Sequence, residues 1–454
     1  VRLLIIGGGI SGLSLGYLLK SGLKSGSGSS MEIAVFESEE KPGGKIWTDR
    51  AQGFLCEWGV NGFLDNKPKT LELAGELAIK PLRSNDAARK RFVYTGRRLR
   101  QLPESPKAFL KSGLLSPLGK LRIFAETVIP KGKKADESLA DFARRRLGRE
   151  AFEKLIDPMA SGIYAGDPEQ LSLKSCFPRI NELEQDYGSL IRAMVKLKKK
   201  SGKATAGPGG TLTSFYNGMQ TLTDSLSASL GDALRVGSRA VALERTAGGY
   251  AVHLADGSKE EADAVVLAVP AHQATVILRD FDKDLSGTLA EIPYPPVTVV
   301  CTGFRAEKIQ RSLDAFGFLV PKKEGRKILG TLFDSSIFPN RAPEGHVLLR
   351  TMVGGARAAS VAMLEDEKLL DTVMAEVGEI AGIRATPDFF RIFRHEQAIP
   401  QYVLGHQDRL GRLDAAVSRH RGLYITGNAF RGISVNDCIE NSHRFAERIL
   451  KEVA

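Results

Sequence analysis

At 454 residues, 43% of them hydrophobic and 26% charged, the chain exceeds a single hydrophobic core and is too apolar for disorder, so two or three globular domains are expected. Lysine and arginine outnumber aspartate and glutamate by 64 to 53, a net charge of +11 that favours anionic ligands or an anionic membrane face. The basic runs at 144–146 and 196–200 are short, scattered and not interleaved with aromatics, so they read as solvated faces and no nucleic-acid partner is expected.

Residues 2–6 (RLLII) read as a buried parallel strand, 7–12 as a turn and 13–19 as the start of a helix. Residues 3–19 carry no charge, but their glycines and the following linker favour a strand and phosphate-binding turn over a signal sequence or membrane span. No other segment approaches a span in length, so any membrane attachment is expected to be peripheral. Residues 20–30 (KSGLKSGSGSS) read as a flexible linker and 31–37 (MEIAVFE) as a second strand, completing a βαβ opening. From 105 to 200 the texture is helical, with 138–147 and 150–156 carrying apolar residues at helical spacing. Residues 204–210 (ATAGPGG) read as a boundary loop, followed by strands at 233–245, 250–254 and 264–269. A block at 297–354 alternates strands and turns; 422–427 is a late buried strand and 434–451 a final amphipathic helix. The fold expected is mixed α/β. A Rossmann-like dinucleotide domain is assembled from 1–85, 205–270 and 390–454, a β-rich domain from 86–104 and 271–389, and a helical domain from 105–204.

Gly7-Gly8-Gly9-Ile10-Ser11-Gly12 fits G-x-G-x-x-G between a strand and a helix. Gly7 permits the tight turn, Gly9 lets the backbone approach a pyrophosphate, and Gly12 lets helix and strand pack closely, with free helical amides offered to the phosphates. Glu37 ends the next strand, where its carboxylate can accept hydrogen bonds from ribose hydroxyls. A second glycine pair, Gly43-Gly44-Lys45, follows at once, and with residues 53–62 (GFLCEWGVNG, including Glu57 and Gly59) it favours FAD over a nicotinamide cofactor. The four cysteines (Cys56, Cys176, Cys301 and Cys438) lie far apart with no CxxC, so neither zinc nor a disulfide framework is expected, and a reducing compartment is. There is no Ser-His-Asp or metal constellation, and no residue is named as a general base.

The series GGGISGL, GGK, GFLCEWG, RKRFVY, SGIYAGDPEQLS, GTLFDSSIFPNRAP, VGGAR and GNAFRGISVNDCI resembles the oxygen-dependent protoporphyrinogen oxidase family in its bacterial form, in family order from residue 1 to about 450. The resemblance implies an FAD domain, a substrate domain and a helical membrane-associating domain. It places flavin contacts on Gly7, Gly8, Gly9, Ile10, Ser11, Gly12, Glu37, Gly44 and Lys45, and on the turn Gly59, Val60, Asn61, Gly62. It adds Val241, whose backbone would meet the adenine, and Ile433, Ser434 and Val435, whose amides would face the isoalloxazine. For substrate it implies that Arg91 pairs with a propionate, since a guanidinium fork suits a carboxylate. A surface arginine is the alternative. Leu319, Leu332 and Met352 match positions that clamp the ring faces, and Gly162 a backbone carbonyl near the reacting methylene; without the resemblance all four read as core.

Departures from the family pattern are Val60 for proline, Gly62 for serine (a looser turn), Lys45 for arginine and Met352 for phenylalanine. His395 stands where many relatives have tryptophan near the flavin, and reads as a packing replacement rather than a catalytic base. By resemblance, a bridging carbon of protoporphyrinogen IX gives a hydride to FAD, oxygen reoxidises the flavin to give hydrogen peroxide, and three rounds yield the porphyrin of haem biosynthesis. The sister activity on coproporphyrinogen III is the nearest alternative. An amine oxidase or carotenoid desaturase is more distant, and a prenyl-binding chaperone without flavin more distant still, since Glu37 and the glycine turn are intact. The expected setting is the cytoplasm, as a monomer or homodimer. Attachment to the inner face of the membrane is expected through Phe109, Leu110, Leu114, Leu115, Leu118, Ile123 and Phe124, with basic neighbours; closing the substrate channel is the equal alternative for that cluster.

Overall fold

The computed structural model describes residues 1–24, 31–201 and 209–453. The expected βαβ opening is present. Arg2–Ile6 leads through a turn into the helix Ile10–Lys24, and Glu32–Phe36 lies parallel to the first strand. The helix runs over the first part of the expected linker, continuing from a buried leucine stripe that reaches Leu19; residues 25–30 lie outside the described residues, as do 204–208 of the expected boundary loop. Five parallel strands form the dinucleotide sheet in the order Leu234–Arg235, Glu32–Phe36, Arg2–Ile6, Ala264–Leu267, Leu423–Ile425. Apolar residues on both faces of these strands are buried, as a parallel sheet covered on both sides requires.

The single strand expected over 233–245 is two. Gly237, at φ 63°, turns the chain between Leu234–Arg235, which joins the dinucleotide sheet, and Ala240–Arg245, which joins a separate three-stranded sheet. Residues 271–292 also pack differently from their expected grouping. Ala271, Ala274, Ile277, Leu285, Leu289 and Ile292 bury into the dinucleotide core, whereas Phe389–His395 belongs to the large sheet.

That second sheet has seven strands in the order Phe389–His395, Val297–Arg305, His346–Gly354, Ile328–Leu332, Gly317–Leu319, Arg91–Thr95, Arg98–Gln101. Only the pairing of Gly317–Leu319 with Arg91–Thr95 is parallel. One face carries Tyr94, Val300, Phe318, Leu349 and Val353 and is closed by the helix Asp366–Ala381 through Leu369, Val373 and Val377. Each such side chain contributes roughly 1.5–3 kcal/mol when buried. Period-2 alternation leaves the opposite face to the next set of residues.

Helices fill 106–201. Ser138 caps Leu139–Leu147 by accepting from the Asp141 amide. The helix expected at 150–156 is interrupted by a π-turn at Phe152–Ile156 before continuing as Asp157–Tyr164. Arg146 is fully buried and holds this layer together. It donates to Glu184 at 2.6 Å, Glu126 at 3.1 Å and the carbonyls of Ile129 and Gly188 at 2.9 Å each. Leu114 and Leu115, expected in the membrane-facing cluster, are buried, whereas Leu110, Leu118, Leu121, Phe124 and Val128 are exposed. Among the described residues no helix is long and apolar enough to cross a membrane.

Candidate active site

The turn after the first strand is fixed by contacts at several of its positions. Gly7 has φ 111°, and a Cβ there would lie 2.8 Å from the Ala268 carbonyl oxygen. One on Gly12 would lie 1.9 Å from the Gly7 oxygen. At Gly9 a Cβ would meet nothing nearer than the Gly44 Cα at 4.0 Å, so the space in front of Gly9 belongs to no protein atom. That is the cradle a pyrophosphate needs. The first intrahelical bond runs from the Leu13 amide to the Gly9 carbonyl, 2.9 Å, so the amides of Ile10, Ser11 and Gly12 precede it and are the donors a helix N-terminus leaves open.

Glu37 is buried beside this turn. Its Oε2 accepts from the Gly8 amide at 2.7 Å, and its Oε1 from the Glu39 amide at 2.9 Å and the Ser38 hydroxyl at 3.0 Å. These bonds aim the carboxylate while leaving lone pairs for ribose hydroxyls. The second glycine pair docks against the first, with the Gly43 amide donating to the Gly8 carbonyl at 2.8 Å and Gly44 at φ 62°. Val241 falls at a β-bulge between Ala240 and Ala242 and so lies outside the regular ladder pairing. Together these residues fit a dinucleotide.

The turn Gly59, Val60, Asn61, Gly62 sits between the two sheets. Arg350 Nη1 donates to the Gly59 carbonyl at 2.9 Å, and its Nε lies 3.0 Å from Asp334, which accepts from the Asn61 side-chain Nδ2 at 3.2 Å. Glu57 just before it is fully buried. It lies 3.3 Å from Arg341 and accepts from Thr48 at 2.7 Å and the Met219 amide at 2.8 Å. Removing one member of such a buried pair strands the other charge. The turn is tight, not loose as the glycine at 62 suggested: a Cβ there would lie 2.5 Å from the Thr213 carbonyl oxygen, so no serine fits, while Val60 packs on the dinucleotide core.

Lys45 donates to the carbonyls of Gln397 and Ala398 and lies 5.7 Å from the centre of the Tyr294 ring. Burial lowers its pKa to about 8. His272, edge-on to Tyr294 at 4.8 Å, is pushed down to about 4 by burial and then by Lys45. His395 donates from Nε2 to the Trp58 carbonyl at 2.9 Å, and its pKa is lowered, mainly by burial. Ser434 and Asp437 form a reciprocal cap on the C-terminal helix Val435–Val453: the Asp437 amide donates to Ser434 Oγ at 3.2 Å and the Ser434 amide to Asp437 at 3.1 Å. The Asp437 amide is thereby used, leaving those of Val435 and Asn436 open. Ile433, just before, packs on the helical layer.

The residues expected to meet substrate are spread along the chain but share one face. Strand register pairs Arg91 with Gly317, Gly317 with Leu332 and Leu332 with Arg350; two residues along, Leu319 pairs with Gly330 and Gly330 with Met352. Paired residues, and residues two apart, point the same way, so Arg91, Leu319, Leu332 and Met352 lie opposite the face that Asp366–Ala381 closes. Gly162 faces them from Asp157–Tyr164, where a Cβ would come 2.9 Å from a Leu319 methyl. Leu319, Leu332 and Met352 are only half-buried, unlike the residues of the closed face. The guanidinium of Arg91 has no hydrogen bond or ion pair among the described residues and stands 5.0 Å over the Phe316 ring. Its side chain is exposed by area, yet surrounding protein desolvates the guanidinium enough to lower its pKa, with Glu104 opposing. It remains charged.

Sequence reasoning missed the Arg350–Asp334–Asn61 and Glu57–Arg341 pairs, and the contact of Arg357 with Asp157 and Asp167 that fastens the Gly162 helix to the large sheet. Glu57, Asp334, Arg341 and Arg357 sit inside recognisable motifs, but only the register shows which charge answers which.

A family model described as flavin-containing amine oxidoreductase matches residues 10–450. The coproporphyrinogen III oxidase of Bacillus subtilis (strain 168) is 31% identical over 97% of this chain and 96% of its own length. The chloroplastic protoporphyrinogen oxidase of Oryza sativa subsp. japonica is 33% identical over 98% of this chain and 87% of its own. A crystal structure from Exiguobacterium sp. 255-15 superposes with a TM-score of 0.85 at 27% identity, covering 99% of each chain.

Proposed function

The chain belongs to the flavin-containing amine oxidoreductases, and from that premise we propose that it oxidises protoporphyrinogen IX to protoporphyrin IX with oxygen as acceptor. It is an oxidase with a flavin cofactor, and the cradle of Gly7–Gly12 with Glu37 accommodates a dinucleotide, which makes the flavin FAD. FAD supplies the hydride acceptor when bound. Gly7, Gly8, Gly9, Ile10, Ser11 and Gly12 would hold its pyrophosphate and Glu37 its adenosine ribose. Gly44, Lys45, the 59–62 turn, His395 and residues 433–435 would surround the remainder, with the Val241 backbone at the adenine.

The observation that carries the substrate reading is the unpaired Arg91 on the same sheet face as the apolar Leu319, Leu332 and Met352, a cation at the edge of a flat greasy wall. A planar tetrapyrrole with a propionate edge matches both. An amine would meet the wrong charge, and a carotenoid would leave the arginine without a partner. The B. subtilis relative keeps coproporphyrinogen III as the alternative. Side-by-side turnover of the two porphyrinogens decides between them: protoporphyrinogen should be oxidised faster, with peroxide released, and turnover of neither overturns the reading.

The domain division is proposed with its seams moved to where the packing changes, near 292 and 395. The exposed Leu118, Leu121, Phe124 and Val128 with Lys107, Lys111 and Arg122 nearby form a surface suited to peripheral contact with an anionic cytoplasmic membrane face. Flotation with anionic liposomes tests it, and absence of co-migration at low salt contradicts it. Monomer and homodimer remain the two states proposed.

A further inference from the structure

His395 stands at the seam where the flavin turn meets the substrate face. Phe393 pairs with Val299 and Val299 with Met352, so His395, two residues beyond Phe393, points to the same side of the large sheet as Met352, Leu332 and Arg91. A Cβ on Gly59 would lie 3.2 Å from the Lys45 carbonyl oxygen and 3.8 Å from His395 Nε2, which brings all three residues to one corner.

The ring's tautomer follows from its partner. The Trp58 carbonyl can only accept, so Nε2 carries the proton in the 2.9 Å bond and a neutral ring presents Nδ1 as a bare lone pair. Trp58 is itself fixed, stacked on Phe393 at 5.0 Å and edge-on to Trp47 at 4.6 Å. The Nδ1 atoms of His272 and His406 are sealed in the interior without partners. Nδ1 of His395 is not sealed and has no hydrogen-bond partner among the described residues, so it is accessible on the sheet face that His395 shares with Met352, Leu332 and Arg91. Lys45 is the charged side chain whose field reaches the ring, from the glycine-pair turn; behind it stand Tyr294 and His272. Its positive charge and the burial both favour the neutral imidazole. Lys45 is a poorer candidate for the same role, because its amine already donates to two carbonyls.

We propose that His395 Nδ1 is the base that receives the pyrrole N–H proton as the porphyrinogen is oxidised. A bound flavin would supply the acceptor for a hydride, with its electron pair, from the bridging methylene. The resulting cation then sheds an N–H proton to Nδ1, and the freed N–H electrons complete the new conjugated double bond. The imidazolium formed passes the proton to solvent and returns to its starting tautomer. Neighbouring Lys45 disfavours a lasting charge on the ring, which speeds that release.

The assignment rests on the porphyrinogen reading and is separable from it. His395→Asn keeps a donor for the Trp58 carbonyl but has no basic nitrogen. Anaerobic reduction of its flavin by protoporphyrinogen should slow ~100-fold or more, the usual worth of general base catalysis. The loss of rate should far exceed any change in FAD affinity of the apoprotein, and the wild-type fall in rate at acidic pH should disappear. His395→Trp, which fills the space without a base, should be as slow. Independently of activity, nitrogen NMR of histidine-labelled protein should show His395 protonated at Nε2 and bare at Nδ1. An asparagine variant as fast as wild type, a ring protonated at Nδ1, or loss of FAD from both variants overturns the assignment. A wild type whose flavin neither porphyrinogen reduces contradicts the substrate reading, and this one with it.

Discussion

The dinucleotide turn and the open face of the large sheet are built in opposite ways. At the turn, most contacts are made within the opening βαβ unit and the segment just after it. A Cβ on Gly12 would strike the Gly7 oxygen at 1.9 Å, and the Gly8 amide is held by Glu37 at 2.7 Å. On the open face, Arg91, Leu319, Leu332 and Met352 come from four strands and meet only through register. The first arrangement is intolerant of added atoms. The second tolerates changes of side chain, so long as the strands keep their pairing, because its backbone is made elsewhere, by the buried face under Asp366–Ala381. Cofactor binding and substrate choice can therefore be perturbed separately.

Gly12→Val sets that separation its strongest test. With no room for even one Cβ, the variant must open the strand–helix contact, and such overpacking typically costs ~1–3 kcal/mol or more. It should purify without FAD and melt lower; a yellow variant with wild-type melting contradicts the steric account. Glu37→Ala is milder. Losing hydrogen bonds to a charged group should weaken FAD by ~1.5–3 kcal/mol, read by titrating apoprotein, with the KM for porphyrinogen unchanged in FAD-saturated enzyme. The smallest effect belongs to Lys45. Its folded pKa of about 8 lies below the ordinary 10.5, so between those values the unfolded chain holds more protons. On this group's account apoprotein stability rises with pH across that window, having been reduced below it. Lys45→Met should flatten the rise in denaturant midpoints, and an unchanged slope places the amine in a better solvated site than its two carbonyl partners indicate.

The same contrast explains what was legible in the sequence. The glycine turn, Glu37, the βαβ opening and the C-terminal helix were readable because each is settled by residues close in sequence. The break at Gly237, the grouping of 271–292 and the π-turn at Phe152–Ile156 were not, since tertiary packing decides them. Arg91 and its apolar companions were named only through motif resemblance; no periodicity within one segment places four strands in register. The apolar cluster at 109–124 shows the same limit. Composition marks its leucines, but Leu114 and Leu115 turn inward and Leu110 and Leu118 outward. His395 carried no local signal beyond its departure from tryptophan, and its significance comes from the Trp58 carbonyl and the Lys45 amine.

The most direct measurement is kcat/KM of wild type and Arg91→Ala on free-acid protoporphyrinogen and on its ester, which lacks the free carboxylates. Cutting one member of a charge pair that substrate desolvates typically costs ~2–5 kcal/mol, so at ~1.4 kcal/mol per tenfold the variant should fall roughly 30-fold or more on the acid. Arg91→Lys should recover only part of that loss, since a point charge lacks the bidentate fork. On the ester the wild type and Arg91→Ala should perform alike, with FAD spectrum and melting temperature unchanged throughout. Equal impairment of Arg91→Ala on acid and ester would mean that Arg91 only shapes the cleft, contradicting the carboxylate-anchored tetrapyrrole as the substrate of this face.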